Sequence, residues 1–226
     1  MFSCIAKIDD RYSFHPIWKP PFISHLASED RCHLNGMCVV NDAIRYVTAF
    51  SQTDAPKGWR KDLMRTGILM DVSTNRVLFD HLAMPHSPRW YDGHLYFVLS
   101  GTGKVMRYQP ITDNTDEVIS LSGFLRGMSI YQGYLFVAHS RVRKESSSFG
   151  QLNLKDFDQN AGIYIVEIAS GSLVGHIEYH SSVEEIYDVQ IIPNAIRPNI
   201  LNTSSKQVLG LTTPDSTFWG QKKDKI

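Results

Sequence analysis

The stretch PHSPRWYDGHLYFVLSGTG, residues 85–103, decides the fold. Its Asp92-Gly93 pair stands between two short runs rich in aromatic and branched side chains. Asp-Gly tolerates the positive φ of a tight hairpin turn, so the two runs read as antiparallel strands. The same arrangement recurs around Asn41-Asp42 in HLNGMCVVNDAIRYVTAF, residues 33–50, and around Gln132-Gly133 in FLRGMSIYQGYLFVAHSRV, residues 124–142. Each segment is followed by a third and a fourth strand: TGILMDVSTNRVLFDHL at 66–82, GKVMRYQPITDNTDEVISL at 103–121 and AGIYIVEIASGSLVGHIEY at 161–179. Four antiparallel strands recurring every ~40–60 residues are the signature of a β-propeller blade. A β-sandwich would show the strands without needing the register to repeat.

Outward from these three blades the pattern thins. Residues 1–20 read as the last two strands of a blade, and the segment from Glu184 as the first two strands of another. Joined, the halves would close a ring of four blades and remove open edges; unjoined, they mark a partial propeller of three full and two half blades. The reading therefore places one propeller domain, or a fragment of one, at residues 1–202. It leaves 203–226 as a polar, unpaired tail. Two insertions interrupt the meander. HPIWKPPFISHLASEDRCHLNG, residues 15–36, is stiffened by prolines; it reads as a cover in which Trp18 and Phe22 pack over a blade edge, or as a lid or partner surface. SRVRKESSSFGQLNLKDFDQNAG, residues 140–162, reads as a polar surface loop.

Composition narrows the functional classes. The 226 residues are 42% hydrophobic, 20% charged and 11% aromatic, ordinary for a globular protein and rich in rings that suit sheets. The 23 basic and 23 acidic residues cancel, so no net field favours nucleic acid or an anionic membrane. Cys4, Cys32 and Cys38 form no CxxC pair, and the first residues lack the basic and apolar regions of a secretory signal. No run approaches the ~18 apolar residues of a spanning helix. The expectation is a cytoplasmic protein with free, packed thiols.

Four motifs go further than composition. FHPIWKPPFIS (14–24), EDRCHLNG (29–36), MPHSPRW (84–90) and VEEIYDVQIIP (183–193) closely resemble a bacterial family of conserved hypothetical proteins, a domain of unknown function. The resemblance spans nearly all of residues 2–202 and implies a propeller-like fold without an established activity. Typical members carry a longer stretch before the equivalent of Phe2, so the resemblance implies an N-terminally truncated chain.

In a propeller the innermost strand of each blade lines a central channel, and ligands prefer such concave mouths. The polar residues at the starts of the inner strands are His33 and Asn35, then His86 and Arg89, then Arg126, then Glu184, Glu185 and Asp188. Pro85 and Pro88 keep the approach to the second inner strand extended. The candidate ligand-binding set is thus His33, Asn35, His86, Arg89, Arg126, Glu185 and Asp188. Within it, His33, His86 and Glu185 are candidate ligands for a divalent metal such as zinc, iron or manganese, and the arginines would hold an anionic substrate. The competing reading is a non-catalytic interaction scaffold, whose polar residues hydrogen-bond one another and only tie blades together. The chain has no G-x-S-x-G elbow, H-E-x-x-H or P-loop, and SGTG at 100–103 reads as a turn, so no reaction is assigned.

Overall fold

A computed structural model of the chain describes residues 2–141, 160–181, 183–196, 198, 208–212 and 217–221. The chain divides into two units, Met1–Ile191 and Ile192–Ile226. The described elements are all β apart from a single 3-10 turn, Gly58–Lys61. No helix among the described residues is long and apolar enough to cross a membrane.

The first unit holds three four-stranded antiparallel sheets, each a meander in which consecutive strands pair. Before them, β1 (Ile5–Lys7) pairs with β2 (His15–Trp18). The first sheet is β3 (Leu34–Val40), β4 (Ala43–Ala49), β5 (Gly67–Asp71) and β6 (Arg76–Leu82). The second is β7 (Pro85–Tyr91), β8 (His94–Leu99), β9 (Lys104–Gln109) and β10 (Asn114–Ser120). The third is β11 (Phe124–Tyr131), β12 (Tyr134–Ser140), β13 (Ala161–Glu167) and β14 (Ser172–Tyr179). The first strand of each sheet lies beside its counterpart in the next, β3 against β7 and β7 against β11.

The three hairpin turns are those the sequence indicates. Asn41 and Asp42 have φ of 50° and 62°, Asp92 and Gly93 have 46° and 73°, and Gln132 and Gly133 have 48° and 80°. Two successive positive φ values define a type I′ turn, whose twist matches that of the strands it joins.

Strand alternation then builds the core. Along β8, Leu95, Phe97 and Leu99 turn toward the first sheet, where they join Cys38, Tyr46 and Leu69, with Trp90 and Tyr108 from their own sheet. Tyr96 and Val98 turn the other way, with Val105, and meet Leu125, Met128, Leu135, Val137, Tyr164 and Val166 of the third sheet. The second sheet is therefore buried on both faces, which is why HLYFVL is continuously apolar instead of alternating. Trp90 and Ile130 both pack into these layers between sheets, as period-two counting from the turns requires.

The outer face of the first sheet is closed by the proline-rich insertion. Trp18 and Phe22 pack on a cluster of Ile5, Ile23, Cys32, Val47, Ala49, Ile68 and Met70, and Trp18 Nε1 donates to Asn75 Oδ1 at 2.9 Å. Arg31 staples the segment, with its Nε 2.7 Å from Glu29 and its Nη1 2.6 Å from Asp54. All three cysteines are free, and burial pushes the Cys38 thiol up to about 11, so it serves as a packing group.

Two expectations need correction. The segment 183–192 contains no strand. It runs past the end of β12, where Glu184 O accepts from Arg141 N at 2.9 Å and Ile186 N donates to Ser140 Oγ at 2.9 Å. With its backbone hydrogen bonds made to single groups on β12 and to side chains, it forms no ladder. The tail is also not wholly unpaired: β15 (Val208–Thr212) and β16 (Thr217–Gln221) form an antiparallel hairpin in the second unit. The polar average over 203–226 hides two five-residue runs, VLGLT and TFWGQ, on either side of a Pro-Asp turn sequence. Most of the second insertion, 142–159, lies outside the described residues.

Candidate functional site

Every first strand carries a β-bulge at the same place. The register shifts between Leu34 and Gly36 on β3, between His86 and Arg89 on β7, and between Leu125 and Met128 on β11. A bulge leaves one residue unpaired and re-aims the side chains around it. Pro88 and the glycines Gly36 and Gly127, all unusual inside strands, are its sequence signal. Two of these positions also need the missing side chain for space. A Cβ on Gly36 would fall 2.6 Å from Pro88 Cδ, and one on Gly127 would fall 2.4 Å from Asp188 Cα. Ser87 Oγ completes the contact between strands by donating to Arg126 O at 2.6 Å.

The re-aimed side chains enclose a cleft of about 470 Å³, lined by Asn35, Gly36, Met37, His86, Ser87, Arg89, Arg126, Tyr187 and Asp188. Five of the seven sequence-derived site residues are thus brought together: Asn35, His86, Arg89, Arg126 and Asp188. Tyr187 was not anticipated, and since 183–192 contains no strand, alternation offers no signal for it.

The charges in the cleft are unequal. Arg89 Nη2 reaches Asp188 Oδ1 at 3.0 Å and Oδ2 at 3.3 Å, while Nη1 donates to Pro88 O at 3.1 Å. The Arg126 guanidinium instead lies 4.1 Å from the centroid of the Tyr187 ring and has no carboxylate at ion-pair distance among the described residues. His86 is 6% exposed. Burial first, then the positive charge of Arg126, pushes its imidazole down to about 3, so it is neutral near pH 7. Its Nδ1 lies 2.7 Å from Ser100 Oγ and 3.2 Å from Met84 O. Asn35 Oδ1 accepts from Thr48 Oγ1 at 2.7 Å, and Asn35 Nδ2 is enclosed without a partner. An enclosed, unsatisfied donor costs about 1–3 kcal/mol, the kind of local expense that binding sites carry.

The proposed metal ligands do not assemble. His33 has φ 51° and turns away from the cleft, with Nδ1 3.0 Å from both carboxylate oxygens of Asp30. Its ring stacks on Phe50 at 4.7 Å and lies 4.3 Å from that of Trp59, while His86 approaches Phe50 edge-on at 5.0 Å. Phe50 thus lies against both imidazoles. Burial alone would raise the Asp30 carboxyl, but the hydrogen bond and charge of His33, with Trp59 Nε1 at 3.0 Å, leave it below its ordinary value. Glu185 accepts from the Tyr187 hydroxyl and does not line the cleft. Among the described residues no three His, Cys, Asp or Glu side chains are placed to hold a metal ion.

The chain is similar in structure to the computationally designed Ika4 protein, at 12% identity and TM-score 0.43, covering 84% of this chain and 91% of that one. It is similar to the designed Ika8 protein at 14% identity and TM-score 0.41, covering 71% and 41% respectively. No curated protein matches it. Residues 1–201, bulged strands and cleft included, match the model of a domain of unknown function, DUF4915, and the chain belongs to that family.

Proposed function

We propose that this protein binds a small organic anion in the cleft, and that its four-stranded sheets are blades of a partial β-propeller with the cleft at the channel mouth. The propeller reading is supported by consecutive meanders whose first strands lie side by side and carry bulges at matching positions. One observation carries the ligand reading: Arg126 brings a positive charge, without a carboxylate partner among the described residues, into a concave site of about 470 Å³. The neighbouring Arg89 is already balanced by Asp188, and His86 adds no charge near neutrality. A histidine neutral down to about pH 3 is a poor general base, so the reading is of binding and not of proton abstraction.

Calorimetric titration with inorganic phosphate and with acetate tests it. A charge-assisted hydrogen bond contributes about 1.5–3 kcal/mol, so Arg126→Gln should weaken binding of whichever anion is held by about tenfold or more without loss of the folded state. Saturable binding that is equal in wild type and Arg126→Gln, or absent for both anions, would remove the reading.

The Arg89–Asp188 pair favours a second reading, in which the polar residues only fasten the 183–190 segment to the sheets. Asp188→Asn separates the two. Both partners are partly solvated, so the binding reading expects a stability loss below about 1 kcal/mol and tighter anion binding as Arg89 is released. The fastening reading expects a large shift of the urea midpoint and no gain in affinity.

A further inference from the structure

The cleft also presents an acceptor. Met84 O can only accept, so the 3.2 Å contact from His86 Nδ1 favours the tautomer with the imidazole hydrogen on Nδ1, from which Ser100 Oγ at 2.7 Å can accept as well. The neutral ring then has its lone pair on Nε2. That atom has no hydrogen-bond partner among the described residues, yet it is not among the enclosed unpartnered atoms. It is therefore not fully enclosed, and His86 is one of the residues that line the cleft. A bare anion would meet this lone pair unfavourably, whereas a hydroxyl would donate to it.

We infer that the ligand is a hydroxylated organic acid, with its carboxylate at Arg126 and one of its hydroxyl groups donating to His86 Nε2. This rests on the anion-binding reading and narrows it to sugar acids and similar polyhydroxy acids. Charge alone would admit any small carboxylate; an acceptor in the same cleft as the Arg126 guanidinium selects those that also carry a donor. A polyhydroxy acid of six carbons is well within the cleft volume and offers a hydroxyl at every spacing from its carboxylate.

The experiment is calorimetric titration of the whole chain with D-gluconate and with hexanoate, which has the same chain length and carboxylate but no hydroxyl. Gluconate should bind about three- to tenfold more tightly, the fold-change of one neutral hydrogen bond. In His86→Phe the difference should vanish while Arg126-dependent binding persists. Because His86 is buried, the side-chain ¹⁵N spectrum of the wild-type protein provides an independent readout. Nε2 should resonate as an unprotonated nitrogen and shift on addition of gluconate but not of hexanoate. Equal binding of the two acids, a preference that survives in His86→Phe, or an Nε2–H tautomer would overturn this inference and leave anion binding standing. If neither acid binds in an Arg126-dependent way, the anion reading fails with it.

Discussion

Acidification from pH 6.5 to about 3 is expected to remove roughly 1–1.5 kcal/mol of stability per pH unit through His86. In the fold the His86 pKa is pushed down to about 3, against 6.5 for the exposed side chain. The unfolded chain therefore takes up its proton first as the pH falls, and stability falls with it. The contribution is complete above pH 6.5, declines through the window and is exhausted below about 3. Its full size is on the order of 4–5 kcal/mol, a large share of the ~5–15 kcal/mol that holds a typical domain together. The cause is structural: a ring boxed in by Phe50 and Phe124, close to the charge of Arg126, has lost most of the solvation that a second proton needs. Carboxylates held below their ordinary values, such as Asp30 and Asp54, act in the same direction but at lower pH. Above about pH 4.5 those carboxylates stay charged, so in the interval from 6.5 to 4.5 the difference between wild type and a variant lacking His86 reports that histidine. Urea midpoints measured across it should fall markedly more steeply in wild type than in His86→Phe. Equal slopes in the two proteins would refute this account.

The same residue shows why some of the site was legible in the sequence. Counted back from the first residue of each hairpin turn, Asn35, His86 and Arg126 all stand six positions upstream. Bulges ought to spoil such counting, since each inserts a residue and breaks the period of two. All three first strands carry one, however, so the error is common to them and equivalent positions stay equivalent. His33 fails for the same reason. It lies two residues before Asn35, and its counterparts by count are Met84 and Phe124, both members of the apolar cluster with Phe50 and Trp59. His33 accordingly packs against that cluster instead of lining the cleft. Glu185 was misplaced because alternation presumes a strand, and 183–192 contains none. The segment nonetheless lies against β11 much as β7 lies against β3, with Asp188 against Gly127 where Pro88 meets Gly36. No local property of EEIYDVQ signals that contact; it depends on what the glycine of another strand leaves open.

That dependence sets the largest expected effect of a small substitution. Gly127→Val should detach the 183–190 segment and lower stability by an amount at or beyond the upper end of about 1–3 kcal/mol. The added Cβ alone would sit 2.4 Å from Asp188 Cα, 2.8 Å from its carbonyl carbon and 2.9 Å from Val189 N. All three are backbone atoms, so no rotamer change relieves the overlap, and the branched methyls of valine enlarge it. Movement of the segment would part Asp188 from Arg89 and lift Tyr187 from Arg126, removing one wall of the cleft while leaving β11 paired to β12. Loss of that wall should outweigh the gain from releasing Arg89, so anion affinity should fall even though Arg126 is untouched. Gly133→Ala is the control: it strains a turn with φ 80°, but its Cβ would meet nothing within 4 Å and it lies far from the cleft lining. It should cost stability and leave affinity unchanged. If Gly127→Val binds anions as wild type does, the segment contributes nothing to the site, and the cleft would have to be redrawn on Asn35, His86 and Arg126 alone.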